Sequence, residues 1–297
     1  MKRTLKHTVA LLALAGFASV APARQPETQQ DGIPVSKLSP VRILADEETV
    51  DQQSKLQYTQ LLQEAQKERS LIPATDPRVQ RLRAIAKRII PYTARWNPSA
   101  ANWKWEVNLL DSDQVNAFCM PGGRIAFYTG ILEKLNLTDD EVAMVMGHEI
   151  SHALREHARK RMAESSVTSG IGKLLGAGAA AYFGLDPRVT DTVAGIGAQM
   201  VNLHFSRGEE TEADIVGLDL ASRAGFDPRA GVALWQKMSA ASARQPMEFL
   251  STHPSGETRI NEMNKNLPLV LPVYARTRGL SVEALPPYKT TPLPPKA

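Results

Sequence analysis

The sequence predicts a mostly helical α+β fold with one small antiparallel sheet. Two observations predict it: long stretches carry apolar residues at helical spacing, and in one central region the hydrophobic period changes to two. The composition agrees, because 43% hydrophobic and 22% charged residues are ordinary values for a globular protein. A chain of 297 residues suits one large domain with extensions, or at most two small ones.

The first 23 residues are typical of a secretory signal peptide. A basic start, "MKRTLKH", precedes the apolar run "TVALLALAGFASV" and a small-x-small pattern that ends at Ala23. The alternative is a membrane anchor, but the run is shorter than the roughly 20 apolar residues of a spanning helix. We therefore predict cleavage after about Ala23, export to the periplasm, and no transmembrane segment in the mature chain.

Removal of this segment changes the charge balance. The remainder has 32 Lys and Arg against 31 Asp and Glu, so the sequence predicts no basic surface for nucleic acid. The single cysteine, Cys119, excludes an internal disulfide. We predict that it is a small buried apolar side chain rather than a nucleophile.

The N-terminal half predicts two helices and then the sheet. Residues 24–45 are polar and contain prolines, which predicts a linker, and residues 46–71 and 76–90 have helical patterns. "WKWEVNLL" at 103–110 alternates like a half-buried strand. Two further apolar runs, "VNAFCM" and "RIAFYTG", are separated by the turn signal Pro-Gly-Gly, which completes the predicted sheet.

A helix then begins at a capping box, Thr138 to Glu141, and no strong breaker interrupts it as far as Glu164. It contains His-Glu-x-x-His, and the rings of His148 and His152, four residues apart, project from one face. This spacing suits two nitrogen ligands of a tetrahedral zinc ion. Glu149 is rotated by about 100°, which places its carboxylate beside the open metal position as a proton acceptor.

A catalytic zinc usually has three protein ligands, so the third must come from elsewhere. His157 is five residues beyond His152 and points about 140° away on a regular helix. We therefore predict a structural or supporting role for it. Glu210 and Asp214 share a helical face, so that one carboxylate can bind the metal while the other accepts the second N–H of a histidine ligand. The alternative is a solvated acidic cluster.

The remaining segments predict connections and further helices. Residues 169–200 are apolar and rich in glycine, which predicts a mobile hairpin or lid; the alternative is a peripheral contact with a membrane surface. Residues 205–226 predict another helix, and 229–267 predict two helices that flank "STHPSGETR". The proline-rich residues 268–297 predict an extended tail. The predicted domain therefore spans residues 46–267.

Three motifs in order, "GHEISHALREHARKR", "FSRGEETEAD" and "STHPSGETR", resemble the M48 family of zinc metallopeptidases, and in particular its Oma1-like and small bacterial periplasmic branch. The resemblance extends over residues 75–267 and implies an α+β zincin-like metallopeptidase fold. It also implies one zinc ion per subunit, with His148, His152 and Glu210 as ligands. In the family, Glu149 would be the general base, and Asp214 would support a ligand histidine.

The resemblance implies further site residues as well. His253 and Arg259 match a pair beside the active site; the histidine either caps the zinc in a resting state or helps to stabilise the oxyanion, a role open to Arg259 too. "VNAFCMPGGRIAFYTGIL" resembles the family's active-site edge strand. There the backbone around Asn116 and Ala117 would pair with an extended substrate by strand addition.

The expected function is that of an exported zinc endopeptidase that hydrolyses extended or misfolded polypeptides in envelope quality control. The alternative, from a different class, is a chaperone-like binding module that uses the same groove, with rare or gated cleavage. A purely structural zinc site is disfavoured, because such a site has no use for a base at Glu149.

Overall fold

The computed structural model describes residues 31–168, 205–243, 247–253 and 256–295. The predictions for the signal peptide (1–23), the start of the linker (24–30) and the glycine-rich segment (169–200) lie outside these ranges. Nine α-helices and three strands form the described part, which confirms the α+β class. In chain order they are α1 Glu47–Lys67, α2 Pro77–Ile89, β1 Glu106–Leu110, β2 Ala117–Met120, β3 Arg124–Tyr128, α3 Thr129–Lys134, α4 Asp139–Leu154, α5 His157–Thr168, α6 Arg207–Arg223, α7 Arg229–Ser242, α8 Glu248–Thr252 and α9 Glu257–Thr277.

The three-stranded sheet has the order β1-β3-β2. β2 and β3 form the predicted antiparallel hairpin, but β1 pairs with β3 in parallel, so the sheet is mixed rather than wholly antiparallel. The hairpin turn contains Gly122 and Gly123 at φ values of 82° and 85°, where a side chain would be strained. A Cβ atom on Gly123 would also lie 2.8 Å from the Trp105 ring, which packs over the turn.

Helix α4, which carries the histidine motif, begins as predicted. Thr138 Oγ1 accepts a hydrogen bond from the Glu141 N–H at 3.2 Å, and the Glu141 carboxylate accepts one from the Thr138 N–H at 2.9 Å. The helix ends at Leu154, however, and does not continue to Glu164. Glu156 adopts a left-handed conformation, with φ at 55°, and α5 begins at the next residue.

Helix α6 packs directly against α4 through two glycines. A Cβ atom on Gly217 would lie 3.0 Å from the backbone nitrogen of His148, and one on Gly147 would lie 3.1 Å from the Gly217 carbonyl oxygen. The two backbones can approach this closely only because neither residue has a side chain. The approach places the first turn of α6, which contains Glu210, beside the histidines of α4.

Segments near both ends of the described chain pack against the hydrophobic core. In the segment predicted as a linker, Ile33 is buried and its N–H donates to Asp219 at 3.1 Å. Helix α9 continues through two prolines to Thr277, beyond the predicted start of the tail, because buried residues along it hold it against the core. After α9, Tyr288 packs against the core and its hydroxyl bonds Thr138 Oγ1 at 2.9 Å. No helix among the described residues combines the length and apolarity needed to cross a membrane.

Candidate metal centre

Four buried side chains converge from separate parts of the chain. His148 and His152 come from α4, Glu210 from the first turn of α6, and His253 from the end of α8. Their potential ligand atoms all lie within 4.8 Å of one another. We call these four residues the donor cluster.

The donor cluster has the dimensions of a zinc site. His148 Nε2 lies 3.1 Å from His152 Nε2 and 3.5 Å from Glu210 Oε2, and His152 Nε2 lies 3.6 Å from Glu210 Oε1. A tetrahedral ion with bonds of about 2.0–2.1 Å separates its ligand atoms by about 3.4 Å. Two imidazole nitrogens and a carboxylate at these separations therefore fit a zinc-sized ion, and this donor set is typical of catalytic zinc.

Hydrogen bonds behind the cluster set the orientation of the first histidine. Asp214 Oδ1 lies 2.9 Å from His148 Nδ1 and accepts a hydrogen bond from it, which turns Nε2 of the same ring toward the cluster. Arg259 holds Asp214 with two bonds, from Nε at 2.6 Å and from Nη2 at 2.7 Å. This is the paired geometry in which arginine binds a carboxylate most strongly.

The electrostatics of the pocket favour positive charge. Burial disfavours the charged form of His148, but hydrogen bonds with Asp214 and Glu210 outweigh this effect and raise its pKa to about 9. Burial also opposes ionisation of Glu210, yet contacts with His148 and His253 hold its pKa far below the usual range. The pKa of Asp214 is likewise low despite burial, because Arg259 is adjacent. A pocket that keeps two carboxylates ionised suits a cation.

Glu149 lies beside the donor cluster with one carboxylate oxygen free. It is 3% exposed, and burial raises the pKa of its carboxyl group. Within the described part of the chain, its Oε1 has no hydrogen-bond partner, and the nearest ring nitrogen, His253 Nε2, is 3.7 Å away. A buried carboxylate with a free oxygen and a raised pKa is suited to accept a proton and later to return it.

His253 and Arg259, the two residues that the family resemblance places beside the active site, lie in different environments. His253 Nδ1 lies 3.0 Å from Glu210 Oε1 and 3.3 Å from His148 Nε2, so it belongs to the donor cluster itself. This position is compatible with both predicted roles, the cap and the oxyanion donor. Arg259 is different: besides its two bonds to Asp214, its Nη1 lies 2.8 Å from Glu210 Oε2, and its guanidinium stacks on Trp235 at 3.7 Å. Its placement favours orienting the two acids over contacting an oxyanion.

The predicted substrate strand, β2, forms one wall of a cleft of about 460 Å³ that reaches Glu149 and His253. Asn116, just before β2, is buried; its carbonyl oxygen accepts from the Tyr128 N–H, and its Oδ1 accepts from the Ala117 N–H. Among the described residues, β2 pairs with β3 only, so its outer edge carries no strand. Apolar side chains contribute to the lining, among them Trp103, Phe118, Met120 and Phe205.

Two contacts of His152 were not predicted by any sequence pattern. Phe205 stacks on its ring, with centroids 3.9 Å apart and planes inclined by 26°. A single aromatic residue before a helix N-cap carries no signal of such a contact. His157 Nδ1 lies 2.9 Å from His152 Nδ1, which is compatible with the supporting role predicted for it and depends on the break at Glu156.

The sequence model that describes peptidase family M48 matches residues 76–267 of the chain. Among curated proteins, the chain is similar to the mitochondrial metalloendopeptidase OMA1 of Schizosaccharomyces pombe, at 34% identity over 67% of this chain and 56% of that protein. The human OMA1 metalloendopeptidase is 31% identical over 59% of this chain and 35% of its own length. The β-barrel assembly-enhancing protease of Escherichia coli (strain K12) is 30% identical over 55% and 35%, respectively. The matches thus cover between about a third and three fifths of these relatives.

Proposed function

This chain belongs to peptidase family M48, and we propose that it is an exported, zinc-dependent endopeptidase that hydrolyses extended or misfolded polypeptides. The observation that carries the proposal is the free Oε1 atom of Glu149 beside a donor cluster of zinc dimensions. The relatives named as metalloendopeptidases and as a protease support the same reaction.

In this proposal His148, His152 and Glu210 hold the zinc ion. When bound, zinc polarises the scissile carbonyl and makes the attacking water more acidic. Glu149 Oε1 accepts a proton from that water and then returns it to the nitrogen of the leaving amine, for which the raised pKa of its carboxyl group is favourable. His253 either occupies the remaining ligand position in a resting state or donates a hydrogen bond to the developing oxyanion.

The substrate is proposed to bind as an added strand. The outer edge of β2, around Ala117, offers backbone groups to an extended chain, while Asn116 holds the start of the strand in place. The apolar lining of the cleft favours segments with apolar side chains, which folded proteins bury and misfolded proteins expose. Recognition of this kind supports a role in quality control rather than in processing of one folded partner.

The cell compartment is proposed from the N-terminal pattern. Residues 1–23 have the basic, apolar and small-residue regions of a signal peptide, which supports export to the periplasm. The E. coli relative is named for enhancing β-barrel assembly, and that name supports a role in the cell envelope.

The proposal is tested with purified chain lacking residues 1–23. Unfolded casein should be cleaved, a chelator should abolish cleavage, and added zinc should restore it. Glu149→Gln should lower the cleavage rate by at least about 10³-fold while zinc content stays at one per chain, since the base is lost and the ligands remain. Glu133→Gln, at an exposed carboxylate of α3, is the matched control. Cleavage by the Glu149 variant at the native rate would contradict the mechanism.

The ligand assignment has its own test. Glu210→Gln should weaken zinc binding, whereas Glu209→Gln should not, because the Glu209 carboxylate bonds Lys160 and Ser206 instead of facing the donor cluster. Equal zinc affinity in the two variants would assign the third ligand to another residue. A third outcome concerns the chaperone-like alternative. If Glu149→Gln still binds casein and handles misfolded polypeptides as the unsubstituted chain does, binding rather than cleavage is the main activity.

A further inference from the structure

The break between α4 and α5 turns His157 back toward the metal centre. On a continuous helix this residue would point about 140° away from His152. Because Glu156 adopts a φ of 55°, the helix is interrupted there, and the two imidazoles meet with their Nδ1 atoms 2.9 Å apart. The break is itself anchored, since Asn97 Nδ2 donates to both the Leu154 carbonyl oxygen and Glu156 Oε1 at 3.1 Å.

The hydrogen bonds around His157 have one consistent direction. His152 presents Nε2 to the donor cluster, so the proton of its neutral ring lies on Nδ1. This N–H donates a hydrogen bond to Nδ1 of His157. The remaining proton of a neutral His157 is then on Nε2, which lies 3.1 Å from Glu212 Oε2. Every ring nitrogen of the two residues thereby has a role, and the reverse direction would place a proton between His152 and the metal.

From this arrangement we propose that His157 is a positioning residue for the ligand His152. By accepting a hydrogen bond from Nδ1–H of His152, His157 fixes the tautomer and the ring orientation in which Nε2 of His152 faces His148 and Glu210. The inference rests on the proposed zinc site. His148 is served by a carboxylate, Asp214, whereas His152 is served by a neutral imidazole that is oriented in turn by Glu212.

The outer end of this chain of hydrogen bonds includes the N-terminal segment. Glu212 Oε1 accepts from Arg155 Nε at 2.8 Å and from Ser36 Oγ at 3.0 Å. Arg155 also donates to the backbone oxygens of Ser36 and Lys37, at 3.2 and 2.9 Å. The segment before α1 therefore fixes Glu212, and through it His157.

Substitutions at His157 separate positioning from mere packing. In His157→Asn, Oδ1 occupies roughly the place of Nδ1 and can still accept from His152, while His157→Phe keeps the ring volume but has no acceptor. We expect zinc affinity, measured by competition with a chelator, to fall about 10–100-fold in the Phe variant and by less than about threefold in the Asn variant. Thermal unfolding of both variants in excess chelator measures their packing without metal.

Native zinc affinity in His157→Phe would overturn the proposal. Equal losses of zinc affinity in the Phe and Asn variants, each in proportion to the loss of thermal stability in excess chelator, would overturn it too. Either result would assign His157 a packing role only. These measurements also keep the two proposals apart: wild-type chain that binds no zinc contradicts the proposed function, whereas zinc binding that is insensitive to the Phe substitution contradicts this inference alone.

A measurement on the unmodified sequence needs no variant to fold. In zinc-loaded chain labelled with ¹⁵N-histidine, two-bond N–H correlations distinguish the two neutral tautomers of each imidazole. We expect His152 to carry its proton on Nδ1 and His157 to carry its proton on Nε2. A proton on Nδ1 of His157 would overturn the proposal, because that nitrogen could not then accept from His152.

Discussion

Replacement of Gly217 by alanine should separate α6 from α4 and weaken metal binding. The new Cβ atom would lie 3.0 Å from the backbone nitrogen of His148 and 3.1 Å from the Gly147 carbonyl carbon. Ordinary contacts of a Cβ atom begin at about 3.4 Å, and both neighbours are helix backbone that cannot rotate away. The helices must therefore move apart by a few tenths of an ångström, and Glu210 lies only seven residues, or about 10 Å, along α6.

The magnitude follows from two opposed effects on folding and one on the site. Overpacking costs about 1–3 kcal/mol, and the higher helix propensity of alanine returns about 1 kcal/mol. We expect a net loss of up to about 2 kcal/mol, or up to about 8 °C in the midpoint of thermal unfolding. Zinc ligands need placement within about 0.5 Å, so we expect zinc affinity to fall by about tenfold or more.

Gly208→Ala is the matched control for this prediction. Gly208 lies in the first turn of the same helix and is exposed, and a Cβ atom there would meet nothing within 4 Å. It should leave zinc affinity unchanged and stability equal or slightly raised. The assays are chelator competition for zinc and thermal unfolding in excess chelator. If Gly217→Ala behaves like Gly208→Ala in both, the close approach of the helices does not determine the position of Glu210.

Three further predictions concern stability and reactivity. Lys237→Met should lower the free energy of unfolding by about 3–5 kcal/mol in urea titrations, because the buried Glu141 carboxylate loses the cation that lies 2.7 Å from it. The double variant Lys237→Met, Glu141→Gln should recover part of this loss, and an unchanged urea midpoint in Lys237→Met would refute the argument. Zinc at 100 times its dissociation constant should add about 2.7 kcal/mol, or about 5–10 °C, to the chelated chain, and the absence of a shift would mean that no such site forms. Desolvation of the partly buried Cys119 thiol and the nearby Glu149 raise its pKa well above the usual range, so alkylation by iodoacetamide should stay slow at pH 8; rapid reaction of folded chain at that pH would contradict this.

Local signals predicted the helix with the histidine motif well. The capping box at Thr138 sets the start of α4, because both of its hydrogen bonds form within four residues. The i,i+4 spacing of His148 and His152 likewise needs no information from the rest of the chain to place both rings on one face. The α+β class followed from hydrophobic periods that are also local.

The differences arise where distant segments decide. The alternating run that starts at Trp103 forms a strand only from Glu106, and that strand pairs with β3 in parallel rather than antiparallel, since strand pairing depends on which backbones meet. The uninterrupted pattern up to Glu164 breaks at Glu156, where contacts with Asn97 and with arginines hold a left-handed residue. Pro268 lies inside α9, because tertiary packing outweighs its low helix propensity.

The sequence by itself determined the chemistry that is available: a pair of histidines on one helix face, a carboxylate next to the first of them, and acids four residues apart on another helix. Only the tertiary structure decided which groups meet. The contact of Gly147 with Gly217 brings Glu210 within 3.6 Å of His152, and the break at Glu156 brings His157 behind the same ring. Spacing along one helix is fixed by the helix itself, whereas distances between helices are set by packing of residues far apart in the chain.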